Sequence, residues 1–535
     1  MAIVFQKDKR TGITYAYENK PYWDKEKKQS RAKRKLIGKV DPETGEIVPT
    51  RPYRKSSKEE TASVVKPGPV PAASVRRFFF GATYLFDQIG ENIGLTADLK
   101  SCFPDYWQQI QSLAYFLILE ESNAMSRFPK WHQLHKHPHG KCIPSQRSSE
   151  LFQSIDEEKK MLFFQKQGKR RAENEYWAYD TTSISSYSEM LNQVRWGKNK
   201  EHDQLPQLNL VLVFGEKSNL PFYYRKLPGN ITDVQTVKNL IREMQLLGYD
   251  KVKLVMDRGF YSRDNINGLF RNHLKFLISV KVSLKYVREK LAQSKDALHS
   301  WSNYNGKHEV YAISYTILWD YEQKRPYKGD VVREKRRCYL HLYFNSEKAS
   351  DDAKRMNHYL TQLRAELENK QEQPEHEKDY RKYFTVKDTP IRGRMVTSND
   401  DAIQKATENY GYFALLSNEV KDPIIALDLY RDKDLVEKAF GNLKERLNFR
   451  RALVSSESSL NGKLFVEFIA LIYLSYIKKQ MQNHNLYSQW TLQGLLDELD
   501  VIECFEVPGY SPILGEITKQ QSDIYAAMDV ESPSL

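Results

Sequence analysis

Cysteine is scarce in this chain. Four stand among 535 residues (Cys102, Cys142, Cys338 and Cys504), far apart and without a CxxC pair. That spacing excludes a cysteine zinc knuckle and argues against a disulfide framework, so the expected compartment is a reducing cytoplasm. Long apolar runs are also missing. The longest, LFVEFIALIYLSYI, covers 14 residues and is interrupted by Glu467. A bilayer needs about 20, so this stretch reads as a buried helix. The opening MAIVFQKDKR has no apolar core of a signal peptide, and a soluble chain without a membrane partner is expected. Negative charge is the third shortage: 69 Asp and Glu face 82 Lys and Arg, a net charge of +13. The excess is concentrated, with twelve Lys or Arg against four Asp or Glu in residues 1–40. Such a balance points to a polyanionic partner and says nothing of fold.

What is present is ample core material, 40% hydrophobic residues, enough for two to four domains. Residues 1–55 alternate Tyr/Ile/Val stretches with turn residues and read as a basic β-rich module. Residues 56–75, rich in Ser, Pro and small side chains, read as a linker. Apolar spacing then predicts a helical region over 76–170, of which DNA binding is expected only from the resemblance that the later blocks carry. From 171 to 280 the period changes, giving strands EYWAYDTTSISSYS, PQLNLVLVFG and LPFYYRKLPG, then helix, strand KVKLVMD, helix and strand KFLISV. The order β-β-β-α-β-α-β is the plan of a ribonuclease H-like α/β core, a mixed sheet flanked by helices. Residues 281–409 interrupt it as a β-rich insertion with a charged helical arm. The core resumes over 410–457, residues 458–500 are helical, and the stretch from 520 to the end reads as frayed.

Two strands end their apolar runs in aspartate: Asp180 in WAYDTT and Asp257 in KLVMDRGF. In the sheet inferred here they are neighbours, which brings both carboxylates to the edge where open α/β sheets bind ligands. A third carboxylate, Glu437, lies on a later helix, YRDKDLVEKAFGNLKERL. Tyr430, Lys433, Glu437 and Lys444 are spaced there by three, four and seven residues, which keeps them on one helical stripe. A solvated face with charge pairs would explain the helix alone. Three convergent carboxylates with no His or Cys suit a hard cation, Mg²⁺ or Mn²⁺, and two such ions about 4 Å apart can drive phosphodiester chemistry.

These blocks, 176–187, 254–262 and 430–444, resemble the catalytic blocks of DDE transposases from bacterial insertion sequences. The nearest group is insertion-sequence four, whose signature is Tyr, two residues, Arg, three residues, Glu, six residues, Lys. This chain keeps Tyr430, Glu437 and Lys444 at that spacing and has Lys433 where the group has Arg. PSQRSSELFQSI at 144–155 and the basic run at 22–41 resemble the long-chain branch of the same group. The resemblance implies that Asp180, Asp257 and Glu437 hold two metal ions. Tyr430, Lys433 and Lys444 would contact phosphates beside the scissile bond, with Arg258 beside Asp257 joining them. The implied activity is cleavage at the 3′ ends of terminal inverted repeats and their transfer into target DNA, by a homodimer pairing two ends, in the bacterial cytoplasm at the nucleoid. A ribonuclease H-like nuclease without strand transfer, or a DNA-binding relic with impaired catalysis, would be the competing readings.

Two features are set aside. WHQLHKHPHGKC gathers His132, His135, His137, His139 and Cys142, but its spacing fits no zinc finger; it reads as a basic loop facing DNA. Trp301, inside the insertion, reads as a core or turn residue.

Overall fold

The computed structural model describes residues 2–534 apart from 25–27, 43, 49–74, 121–123, 172–174, 189–190, 198–204, 250–251, 325–328, 391–392, 448–453 and 455. The expected linker at 56–75 falls almost wholly outside the described residues. The chain forms two compact units, Met1–Val70 and Pro71–Leu535.

The first unit is an antiparallel sheet in the order β1 (Ala2–Lys7), β2 (Thr14–Asp24), β3 (Gln29–Val40), β4 (Ile47–Val48). The turn into β4 follows from DPETGE: Asp41 accepts from the Thr44 amide at 3.3 Å, and Gly45 takes φ +71°, which glycine adopts without strain. Among the described residues of this unit only Ala16 and Gly38 are buried. Gly38 is required by close approach, since a Cβ there would lie 2.4 Å from the Val48 carbonyl oxygen.

In the second unit, β5 (Arg76–Phe79) pairs with a strand at Glu503–Glu506. The main sheet begins with β6 (Tyr176–Ser185), β7 (Gln207–Gly215), β8 (Pro221–Pro228), β9 (Lys253–Met256) and β10 (Lys275–Val280). It continues with β11 (Tyr304–Asn305), β12 (Val310–Lys324) and β13 (Val331–Asn345). A separate hairpin, β14 (Phe384–Thr389) and β15 (Gly393–Ser398), precedes the last strand, β16 (Tyr412–Ser417). The order across the sheet is β11-β12-β13-β16-β10-β9-β6-β7-β8. β6, β7 and β8 are antiparallel, while β9 runs parallel to both β6 and β10. Helices Asp233–Leu246 and Arg263–Arg271 make the connections into β9 and β10. Every residue of β7 is buried, as in a strand covered on both faces. This mixed α/β sheet agrees with a ribonuclease H-like core.

Residues 281–409 do not stand apart as a β-rich body. Their two 15-residue strands, β12 and β13, extend the main sheet through β16, because β13 pairs with β16 and β16 with β10. The charged helix Ser346–Glu368 has its own small core with Met356, Leu363, Leu367, Tyr380, Tyr383 and Phe384.

Helix Glu457–Asn483 is nearly twice the length of its longest apolar run and is long and apolar enough to cross a membrane, yet it is mostly buried inside the protein. The helices of 81–171 pack on it: Phe103 and Phe163 meet Phe465, and Tyr115 meets Tyr473, with centroids 5.0, 5.3 and 5.4 Å apart. That region shares one continuous core with the sheet and the C-terminal helices. The helices of 76–170 are thus packed into the second unit and do not form a body of their own. The tail is not frayed either. Helix Lys519–Ala527 begins with a capping box of Thr518 and Gln521, and Ile524, Tyr525, Met528 and Val530 are buried. Its apolar residues recur at helical spacing, and they fill a groove beside the first helix of this unit, where the Tyr525 hydroxyl donates to the Gly81 carbonyl at 2.9 Å.

Candidate active site

β9 stops at Met256 while β6 continues to Ser185. Tyr179 is level with Met256 in the parallel register, so Asp180 and Asp257 come next on neighbouring strands, about 5 Å apart at the backbone. Beyond β9, Asp257 opens a short turn at Arg258–Phe260. The Asp180 carboxylate accepts from the Thr181 amide at 2.7 Å.

The polar stripe from Tyr430 to Lys444 comes from two helices and a π turn instead of one helix. Pro423–Asp432 ends at Lys433, Asp434–Gly441 follows, and a π turn covers Asn442–Arg446. Tyr430 reaches the site from the first helix and donates its hydroxyl to Asp257 Oδ1 at 2.8 Å. Lys433 stands at the break, and Glu437 sits on the second helix, which packs on β6 and β7. The Lys433 ammonium lies 3.7 Å from Asp180 Oδ2 and 3.3 Å from Glu437 Oε1. Its side chain is 3% exposed, against 14% for Asp180 and 62% for Glu437.

Burial acts against charge on Asp257, but the Tyr430 hydroxyl, the Arg258 amide and the Lys433 ammonium outweigh it and hold the carboxyl below its ordinary range. Burial likewise opposes the charge on Lys433, and Asp180, Asp257 and Glu437 overcome it to raise that pKa. Tyr430 is raised by burial first and by Asp257 next. These effects favour a negative Asp257, a positive Lys433 and a neutral Tyr430 phenol.

The structure thus gathers Asp180, Asp257, Tyr430, Lys433 and Glu437. Arg258 is exposed beside them. Lys444 lies further on, in the π turn, and is 6% exposed beside buried Leu443 and Leu447. An even helical stripe cannot survive the wider π turn, which rotates everything after it. Among the described residues no three acidic, imidazole or thiolate groups converge as a metal cluster. The donor set still fits a divalent cation, because it is all carboxylate oxygen and already surrounds a positive charge, the Lys433 ammonium.

One residue escaped the sequence reading. Asp233 starts the helix after β8, accepts from Thr181 Oγ1 at 2.6 Å, and lies so near Gly259 that an added Cβ would come within 3.2 Å. It ties together the backbone that follows Asp180 and the backbone that follows Asp257. Its only signal was its place at a helix start.

The histidine-rich segment is not a loop facing outward. His135 and His137 are buried: His135 meets Asp500 at 2.9 Å, and His137 sits 2.9 Å from Ser112 Oγ and 2.8 Å from His132. Trp301 lies in a short turn, 76% exposed, with its ring stacked on Tyr304 at 4.9 Å.

The family model for a transposase DDE domain matches residues 177–473, more than half of the chain. The chain belongs to this family of DDE transposases. No curated protein matches it. Among solved structures, it is similar to a piggyBac transposase in a synaptic complex with hairpin DNA, at 11% identity and a TM-score of 0.34, over 78% of this chain and 76% of that one.

Proposed function

We propose that this chain is the transposase of a bacterial insertion sequence of the insertion-sequence four group, binding the terminal inverted repeats of its element and cutting and joining their 3′ ends. The observation that carries the reading is the convergence of Asp180 and Asp257 from adjacent strands with Lys433 and Glu437 from one helical break. The spacing of Tyr430, Glu437 and Lys444 supports the group.

Asp180, Asp257 and Glu437 would hold the divalent ions, Mg²⁺ or Mn²⁺. When bound, a pair of such ions supplies activation of an attacking oxygen and stabilisation of a leaving one. The chain's own residues do the rest. Tyr430 fixes the Asp257 carboxylate in one orientation and keeps it ionised. Lys433 balances Asp180 and Glu437 and offers the nearest positive charge to a phosphate brought against them. Arg258, exposed beside Asp257, is a second phosphate contact. Asp233 holds the two aspartate-bearing segments in register through Thr181. Lys444, on the π turn, is the further phosphate contact that the signature implies.

Two DNA ends require two sites, and a homodimer is the working assembly. The four separate cysteines, none in a disulfide, suit a bacterial cytoplasm, with the protein at the nucleoid when bound to DNA.

The test is incubation of the full chain with Mg²⁺ and a labelled duplex carrying the DNA that borders its gene, alongside a plasmid target. Nicking at the repeat boundary followed by joining to the plasmid supports the reading. Nicking without joining leaves a nuclease, and binding without nicking leaves a relic.

A further inference from the structure

Residues 281–409 do more than lengthen the sheet, because they also hold the helix that carries Tyr430. Helix Pro423–Asp432 buries Ala426 and Leu427 in one cluster with Val255 of β9 and with Val310 and Ala312 of β12. Its start is tied to β13, where the Tyr343 hydroxyl donates to the Pro423 carbonyl at 2.6 Å. Its second half is tied to the turn between β11 and β12. There the His308 ring meets Asp428 Oδ1 through Nε2 and the Arg431 guanidinium through Nδ1, both at 2.7 Å. Lys307 adds a third contact, 2.9 Å from the same Asp428 oxygen.

A guanidinium has no acceptor, so Arg431 donates and Nδ1 accepts; Nε2 then carries the proton and donates to Asp428. The neutral imidazole is thus matched at both nitrogens to side chains of one helix. Lys307 first, and His308 after it against burial, hold the Asp428 carboxyl below its ordinary range, which keeps it an acceptor. The turn is shaped to present this ring. Asn305 pairs with Val310, which leaves Gly306 to Glu309 as the loop. The Asn305 side chain accepts from the His308 amide at 3.0 Å, and Asn345 donates to the Glu309 carbonyl at 3.2 Å. Glu309 takes φ +52°, a left-handed backbone that a residue with a Cβ keeps only where its surroundings fix it. The His308 side chain is 8% exposed.

We infer that His308 is a positioning residue for the cleavage reaction: it fixes the rotation of helix Pro423–Asp432, and with it the place of Tyr430 against Asp257. The inference rests on the transposase reading above. Asp428 and Arg431 are three apart and share one face of the helix, whereas Tyr430, two residues after Asp428, points about 200° round from it. The helix is therefore held on opposite sides, by His308 on one and by the 2.8 Å bond from Tyr430 to Asp257 on the other. With the first hold removed, the helix can turn about its axis and carry the phenol off Asp257. A misplacement of about 1 Å can cost about 100-fold in rate even when its cause lies away from the reacting atoms. His308 thus acts through Asp428 and Arg431 and not on the phosphodiester itself.

The experiment measures single-turnover cleavage of a labelled duplex carrying the DNA that borders the gene, in Mg²⁺, and the affinity of the full chain for the same duplex. His308→Ala should lower the rate about tenfold and leave the affinity within about twofold. His308→Gln, whose amide keeps one donor and one acceptor, should bring the rate back to within about threefold, which separates positioning from a folding defect. Tyr430→Phe combined with His308→Ala should be little slower than the slower single variant, because both changes act on one contact. An unchanged rate in His308→Ala overturns the inference, and so does a failure of His308→Gln to restore it. Losses that multiply in the double variant overturn it by showing a role separate from Tyr430. A loss of affinity as large as the loss of rate also overturns it, since His308 would then be a DNA contact. Absence of cleavage by the unaltered chain overturns the transposase reading itself and this inference with it, so the two failures are told apart.

Discussion

The Lys433 ammonium lies 3.7 Å from Asp180 Oδ2, with the Lys433 side chain 3% exposed. A lysine so enclosed has exchanged water for carboxylates, so it is part of the site's charge balance and not a solvated surface residue. The arrangement gives the site a positive charge of its own where DNA transposition chemistry needs one.

Lys433→Ala removes that charge, and single-turnover cleavage should fall about 100-fold, the scale of losing one preorganised charge contact. The metal-free variant should also lose about 1–2 kcal/mol of stability, less than a fully buried pair because Glu437 is largely exposed. Added Mg²⁺ should stabilise the variant more than the unaltered protein, since the ion then replaces the missing ammonium. Lys433→Arg keeps the charge and should retain cleavage. Thermal unfolding with and without Mg²⁺, alongside cleavage rates, checks all three; an unchanged rate for Lys433→Ala would remove it from the mechanism.

Tyr430→Phe deletes only the hydroxyl that Asp257 accepts at 2.8 Å. The expected loss is about 1 kcal/mol of stability and roughly tenfold or more in cleavage, with DNA binding unaltered. If cleavage is unaffected, the Tyr430 contact is structural alone.

His341 on β13 is completely buried, and neither ring nitrogen makes a hydrogen bond of normal geometry. Burial pushes its pKa from 6.5 to about 4. The unfolded chain therefore takes up a proton first as pH falls. The stability held by the neutral imidazole is complete above pH 6.5 and is lost as pH drops toward 4, on the order of 2–3 kcal/mol by pH 4.5. His341→Leu should abolish this part of the acid sensitivity. Urea unfolding at pH 7 and pH 4.5 measures it, and an identical pH dependence in the variant would contradict the assignment.

Tyr525 is fully buried near the end of the chain. Tyr525→Ala should cost about 3 kcal/mol or more, as a large aromatic lost from a packed core does. Urea unfolding at neutral pH would show the tail to be dispensable if stability were unchanged.

The meeting of Asp180 and Asp257 at one sheet edge was legible because an apolar strand ending in Asp announces both its own direction and the edge it reaches. Glu437 was legible through spacing. The burial of Lys433 was not, since a polar helix face looks solvated until the strand beneath it is known. The π turn that carries Lys444 was not legible either, since nothing local marks it. His135 and His137 misled because their partners, Asp500 and Ser112, lie 365 and 25 residues away in the chain. The core role of 81–171 was equally hidden, because amphipathic spacing shows which face is buried and not what buries it.

The central claim is that Asp180, Asp257 and Glu437 act together on a phosphodiester. Single-turnover cleavage of a labelled duplex carrying the gene-border DNA, in Mg²⁺, should be lost in each of Asp180→Asn, Asp257→Asn and Glu437→Gln, while each variant binds that duplex as the unaltered chain does. The amides keep the side-chain shape and remove the charge that a divalent ion requires. Near-normal cleavage in any one of the three would contradict the site drawn here.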